Sequence, residues 1–400
     1  MKTDQKQHLS QAMVFIILFG IVSLFSDMTH EGASGIRGAY LSLLGASAGT
    51  IGFISGLGEL VGYSMRYVFG RLTDKTKQYW PMTILGYVLD IAAVPALALV
   101  GEHGWIAACL LLVVQRMGKA IKKPAKNTLM SFAASQEGVG KSFGLQEVLD
   151  QIGAFLGPVL LYVVMLFRQD ESMLTTYSVC FAFLAIPGAI TLILLLITRY
   201  RFPNPERFEP EPTEYVPFRI EKPFVFYLCG IGLFAFGFID YSLVIMHVAK
   251  SFSFSIETLP LLYAGAMLVD AVAALGFGLL YDRRGMTALV WSTLLSAPFA
   301  LLVFASNSIP LLLIGIALWG IGMGAQESIL KAVVTSLVPK QSRATGYGMF
   351  ECAFGVCWFL GSWLLGVLYD VCLPAMIGIS VAAQLAAIPL YVFAGKRNHS

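Results

Sequence analysis

The chain has 400 residues, of which 57% are hydrophobic and only 13% charged, with a mean hydropathy of +0.74. Soluble domains carry roughly 25% charged residues, so this composition excludes a water-soluble globular protein and points to a polytopic membrane protein. The net charge of +3 gives no reason to expect a nucleic-acid partner.

A hydrocarbon core about 30 Å thick calls for about 20 predominantly apolar residues per helix. On that measure the chain predicts twelve spans, at about 11–42, 47–70, 80–101, 104–124, 141–167, 173–199, 223–248, 257–280, 286–306, 309–331, 344–369 and 373–394. The polar start MKTDQKQHLSQ leads into an apolar run too long for a signal peptide and without a small-residue cleavage site, so no cleavable signal is expected. The first span carries Asp27 and Glu31, four apart and therefore on one helical face, followed by Arg37 among Gly32, Gly35, Gly38 and Gly45. Ionisable groups in hydrocarbon are costly, so a span that keeps them is predicted to line a polar cavity. It is also too long for one straight crossing, and is predicted to tilt, protrude or break near 32–38.

Further along, ionisable residues fall inside span 2 (Glu59, Arg66), span 3 (Asp90), span 4 (Arg116, Lys119) and span 5 (Glu147, Asp150). They continue in span 7 (Asp240), span 8 (Asp270), span 10 (Glu327, Lys331) and span 11 (Glu351). Acids outnumber bases, which mildly favours cationic or neutral cargo, although protons alone would account for it. A buried carboxylate without a cation holds its proton more readily, which makes it a plausible proton carrier. Asp27 and Glu31 are the first choice for that role, the alternative being pairing with Arg37 or Arg116. Glu147 and Asp150 share a face of span 5 and are expected to form a network with Arg116. Lys122 and Lys123 read as anchors at the membrane surface, and Glu327 with Lys331 as an i, i+4 salt bridge. His30 is a weaker proton-relay candidate beside the acid pair.

Loop charges orient the chain. Lys75, Lys77, Lys122, Lys123, Lys126, Lys141, Arg199, Arg201, Arg207, Arg219, Lys222, Arg283, Arg284, Lys340, Arg343, Lys396 and Arg397 all fall on the side of the N-terminus. The opposite loops offer little beyond Arg168 and Lys250, so both termini are expected in the cytoplasm. The stretch at 199–223, RYRFPNPERFEPEPTEYVPFRIEKP, is too rich in proline and charge to bury a core, and reads as a cytoplasmic linker. It divides the chain into an N-terminal six-helix bundle (1–198), a linker (199–222) and a C-terminal six-helix bundle (223–400).

The halves repeat. Gly70-Arg-Leu-Thr-Asp74-Lys75-Thr-Lys77 follows span 2, and Gly278-Leu-Leu-Tyr-Asp282-Arg283-Arg-Gly285 follows span 8. Gly144, Glu147 and Gly157 entering span 5 match Gly348, Glu351 and Gly361 entering span 11 at nearly the same offset. Two copies in the same order make a parallel repeat about an axis along the membrane normal. With these motifs the sequence resembles the major facilitator superfamily over essentially its whole length. The segment after span 2 is similar to that family's signature loop Gly-x-Leu-x-Asp-Arg-x-Gly-Arg, with Lys75 for the Arg and Lys77 at the second Gly. Arg116-Met-Gly-Lys-Ala loosely resembles its span-4 pattern. Gly153-x-x-x-Gly157-Pro158 resembles its antiporter signature, whose trailing glycines are absent at 160–162.

The resemblance implies an all-α membrane protein of twelve transmembrane helices in two pseudo-symmetric six-helix bundles. It implies a conformational latch at Gly70, Asp74, Lys75, Gly278, Asp282 and Arg283, a cavity-lining role for Asp240, and helix packing through Gly153, Gly157 and Pro158. The function expected is secondary transport of a small organic molecule, coupled to protons and most simply export by antiport. A proton symporter or uniporter importing a metabolite, and a lipid flippase, are the alternatives. No Walker A pattern, nucleophile or metal-ligand constellation argues for an ATPase or an enzyme, and no cofactor is expected. The scattered cysteines (Cys109, Cys180, Cys229, Cys352, Cys357, Cys372) form neither a CxxC nor a His/Cys cluster, so no disulfide framework or zinc site is expected. The setting expected is a bacterial inner membrane, with the protein acting as a monomer among lipid, protons and substrate.

Overall fold

The computed structural model describes residues 10–137, 139–168, 171–208, 221–337 and 343–395. The chain is all-helical there: α1 (Gln11–Leu43), α2 (Ala48–Thr76), α3 (Tyr79–Ala96), α4 (Trp105–Glu137), α5 (Val139–Leu166), α6 (Met173–Phe183) and α7 (Ala185–Arg201) make up the first half. The second half comprises α8 (Lys222–Gly237), α9 (Tyr241–Ser251), α10 (Thr258–Arg284), α11 (Thr287–Ser296), α12 (Phe299–Phe304), α13 (Ile309–Leu337), α14 (Arg343–Val371) and α15 (Leu373–Gly395). With α6–α7, α8–α9 and α11–α12 each forming one traverse, these helices cross the bilayer twelve times. Ten of the traverses are long and apolar enough to be recognised by composition, and α2 and α4 are masked by the ionised residues they carry.

Three traverses expected as continuous helices are interrupted. Pro187 and Pro298 lack the N–H an inner helical turn needs and crowd the carbonyl four residues back; the breaks fall at Leu184 and at 297–298. The third break, at 238–240, contains no proline. There Asp240 leaves the helical region (φ −60°, ψ 141°), caps α9, and accepts the Ser242 N–H at 2.8 Å. Backbone groups freed inside a membrane need partners, and they have them. The Trp319 indole N–H donates to the Ile239 carbonyl at 2.9 Å, and the Ser380 hydroxyl donates to the Gly237 carbonyl at 2.6 Å.

Of the three expectations for the first span, to tilt, protrude or break, the break does not occur. α1 is one unbroken helix of 33 residues, about 50 Å long at 1.5 Å per residue. Its glycines are places of close approach. A side chain at Gly38 would collide with the Ser242 backbone of α9, and one at Gly32 would press on Gly157 of α5. α1 is thereby the spine along which α5 and the second half lie. The halves also meet where α5 lies against α10 and where α2 lies against α14, Gly52 and Gly56 there admitting the backbone of Ser362 and Phe359.

The repeat is legible in the backbone. Lys77 ends α2 with a φ of 56°, and Gly285 ends α10 with a φ of 57°. Each donates its N–H to the carbonyl four residues back, Thr73 and Tyr281, at 2.7 Å. The position where Lys77 replaces the signature glycine is therefore a left-handed helix end, a conformation glycine takes without steric cost.

Candidate functional site

Charged side chains of the first half meet an aromatic wall of the second where the two halves face each other. On α1, Glu31 reaches across and accepts the phenolic O–H of Tyr263 (α10) at 2.5 Å. One turn earlier Asp27 is half-buried, with no hydrogen bond or ion pair among the described residues. The charges acting on it belong to Asp150, Lys119, Lys126 and Glu31. Two turns along, buried Arg37 donates through Nε and Nη2 to the Ser242 hydroxyl (3.1 and 2.9 Å) and lies 3.8 Å from Asp240. Ser55 of α2 donates to the same hydroxyl at 3.2 Å. Asp240 is thus both the cap of the broken α9 and the counter-charge of Arg37, on opposite sides of the seam.

Arg116 on α4 bonds Glu59 on α2 at 2.7 Å. This corrects the expected network with Glu147 and Asp150. Glu147 is exposed, and Asp150 accepts from Gln146 at 3.4 Å on its own helix. α2 stands between α4 and the seam at that level and supplies the nearer carboxylate. Neither Arg37 nor Arg116 pairs with the α1 acids. Arg66 bonds Glu351 across the seam at 3.3 Å and lies over the Tyr63 ring at 4.5 Å. Lys119, one turn on from Arg116, stands beyond ion-pair distance of every described carboxylate; the groups acting on it most strongly are Glu31, Arg116, Asp90 and Asp27.

A second network lies behind α1. Buried Asp90 on α3 bonds the Lys122 ammonium and lies 2.6 Å from His30 Nε2. Gln115 meets His30 Nδ1 at 2.7 Å, and Lys122 also donates to Ser26 at 3.0 Å and lies over the Tyr87 ring at 4.0 Å. The surface-anchor reading of Lys122 is therefore wrong. α4 runs on to Glu137, well past the predicted end at 124, which turns Lys122 and Lys126 into the bundle, where Lys126 bonds Ser23. His30 is fixed by this network, bonded to Asp90 and Gln115. A sequence signal for it existed. Gly86 and Gly118 each precede one partner, Asp90 and Lys122, by four residues, and both glycines sit where α3 and α4 touch.

Gly153 and Gly157 pack α5 flush on the α1 carbonyls of Leu24 and Met28, the two positions that flank Asp27, with Pro158 buried beside them. Gly70 and Gly278 lie in the last turns of α2 and α10, and Lys75 and Arg283 are exposed there. The side chains of Asp74, Asp282, Glu327 and Lys331 lie outside the described residues.

Comparison with known proteins agrees with this architecture. The family model described as Major Facilitator Superfamily matches residues 8–247 and 228–399. An uncharacterized protein of Mycobacterium tuberculosis is 34% identical over 380 residues, covering 94% of this chain and 91% of its own. Among solved structures, a bacterial homologue of the human lysosomal transporter Spinster superposes with a TM-score of 0.72 at 13% identity, covering 96% of each chain. A mutant of the nucleoside transporter NupG gives 0.73 at 15% identity, covering 94% of this chain and 99% of that one. At these identities the structural likeness is one of fold.

Proposed function

We propose that this chain, which belongs to the Major Facilitator Superfamily and is an integral membrane transporter of a small molecule, works as a proton-coupled exporter. The observation that carries the reading is the bond from Tyr263 to Glu31. A phenol bonded to a carboxylate is a charge-assisted contact. It joins α1 of one half to α10 of the other, so a proton arriving on Glu31 removes the charge from that bond and weakens a contact between the halves. Proton occupancy and the closure of the seam are thereby linked, which is what alternating access requires. Asp27, one turn away and without a partner among the described residues, extends the site toward Asp150 and Lys126. Arg37, Asp240 and Arg116 line the seam on either side of this pair.

Export is favoured by the α5 packing signature, which sets the α1–α5 distance on both sides of Asp27. In this reading the termini and the segment 199–222 are cytoplasmic and the membrane is a bacterial inner membrane. The chain acts as a single copy, and Gly70, Asp74, Lys75, Gly278, Asp282 and Arg283 latch the cytoplasmic helix ends.

Inside-out vesicles with an acid lumen test the reading, using tetraphenylphosphonium, benzoate and xylose as cationic, anionic and neutral probes. At least one should accumulate only while the gradient stands, and Asp27→Asn or Glu31→Gln should abolish accumulation while exchange at equal pH survives. No accumulation of any probe, or undiminished accumulation in the double variant, overturns it.

A further inference from the structure

The first turn of α2 carries no acidic residue of its own, although its free N–H groups and the helix dipole favour a negative charge there. Its N-cap Ser47 takes the Thr50 N–H through Oγ at 3.1 Å, and the Ser47 carbonyl takes that of Ile51 at 2.9 Å. The Gly49 N–H is met from the other half of the molecule. Asp370, in the last turn of α14, accepts it through Oδ2 at 2.9 Å. The two backbones are shaped for this approach. A side chain at Gly366 would collide with the Ala48 carbonyl of α2, and one at Gly49 would press on Val367.

Asp370 sits on a helix end that is held from inside the second half. Its neighbour Tyr369 bonds Nδ1 of His247 on α9 at 2.9 Å, and the His247 ring packs on Phe304 of α12 with centroids 4.8 Å apart. His247 is 6% exposed. A chain of contacts thus runs from α12 through α9 and α14 to the start of α2. The arrangement is one-sided. At the spacing that relates Gly144 to Gly348, Asp370 corresponds to Leu166 at the end of α5, and leucine accepts no N–H. Along α2 and α14 the Asp370 bond lies at the end away from the termini, and the Arg66–Glu351 bond lies toward the opposite end.

We propose that Asp370 is a gate residue: its carboxylate clamps the N-terminus of α2 and holds the two halves closed on the side away from the termini, with Tyr369 and His247 positioning it. When the halves part there, the Gly49 N–H and the carboxylate both return to water. A bond made in one state and absent from the other shifts the balance between them by its own free energy. The charge that α2 lacks in its own first turn is therefore supplied only when the gate is shut. The clamp requires only that the halves move against each other and is independent of the proton coupling.

Electron–electron distance measurements in nanodiscs test it, with spin labels at Glu102 and Asn307, exposed loop positions of opposite halves, and the exposed Cys229, Cys352 and Cys372 replaced by serine. Asp370→Leu should raise the ratio of long to short distances about tenfold, the lower end of what a hydrogen bond to a charged group contributes. A long component that appears only in this variant is the same result. Asp370→Asn, which keeps an acceptor and loses the charge, should raise the ratio about threefold. Tyr369→Phe should act in the same direction and add nothing in the Asp370→Leu variant, as a positioning residue does. Glu351→Gln, which removes the ion pair toward the other end of α14, should leave the ratio within about twofold. Monodispersity and unchanged helix content by circular dichroism establish that each variant is folded. An unchanged ratio in Asp370→Leu, or a rise in Glu351→Gln as large as that in Asp370→Leu, overturns the clamp. An undiminished effect of Tyr369→Phe in the Asp370→Leu variant overturns the positioning role. The distances are read without gradient or substrate, so neither result depends on whether accumulation proves to be proton-driven.

Discussion

At the scale of single residues, Asp90 and Lys122 show how a membrane protein tolerates charge in its interior. Each ion taken alone is prohibitively expensive there, and together with His30, Gln115 and Ser26 they satisfy one another. Asp90 is fully buried, and Lys122 is 7% exposed. Asp90→Asn leaves the ammonium without its counter-charge and is expected to destabilise the protein by about 3–5 kcal/mol, as breaking one member of a buried pair does. Thermal unfolding in detergent reads that loss. Asp90→Asn combined with Lys122→Met should recover a substantial part of it, because the stranded charge is gone. If the single and double variants melt alike, the pair is not what stabilises the α3–α4 contact.

The matched helix ends of α2 and α10 carry the lesson at the scale of elements. Lys77 and Gly285 both have a positive φ at the same place in the two halves, Lys77 in the left-handed helical region (ψ 19°) and Gly285 outside it (ψ −137°), although only one of them is a residue suited to a positive φ. A residue with a Cβ held in that region costs roughly 1–2 kcal/mol. Lys77→Gly is therefore expected to raise stability by about 1 kcal/mol, allowing for the added freedom of glycine in the unfolded chain. Gly285→Lys should lower stability by about 1–3 kcal/mol, because the backbone there (φ 57°, ψ −137°) is one that side chains avoid, and space is no objection, since nothing lies within 4 Å of a Cβ placed there. A melting temperature that falls in Lys77→Gly would show that the lysine side chain contributes more than its backbone costs.

For the whole molecule, the decisive contacts are those that bring the halves together on the side away from the termini. Gly38 of α1 lies against the Ser242 backbone, and Gly52 of α2 lies against Ser362. Both are backbone contacts and have no flexible neighbour to yield. Gly38→Val is expected to prevent closure there while leaving each six-helix half intact. Spin labels at Ser47 and Asn307, on loops of opposite halves, should report a longer distance in the variant than in the parent, with little change in secondary structure by circular dichroism. An unchanged distance would mean that α1 and α9 can part without opening the seam.

Composition and spacing by themselves determined the class, the twelve traverses, the internal repeat, and the list of charged residues within the membrane. These follow from quantities local to the chain: hydropathy over about 20 residues, and motifs that recur in the same order. The same local logic allowed a break in α1 and read Lys122 as a surface anchor, because glycine content and sequence distance say nothing about which neighbour fills the gap. It left the break at 238–240 unseen, since that break depends on Trp319 and Ser380 arriving from distant helices to take the freed carbonyls. Pairing was the other matter beyond its reach. Arg116 has several acids within its own half, and only the packing of α2 against α4 selects Glu59. The tertiary structure therefore decided which charges neutralise one another, because net charge at a site depends on three-dimensional neighbours and not on how many acids and bases the chain contains.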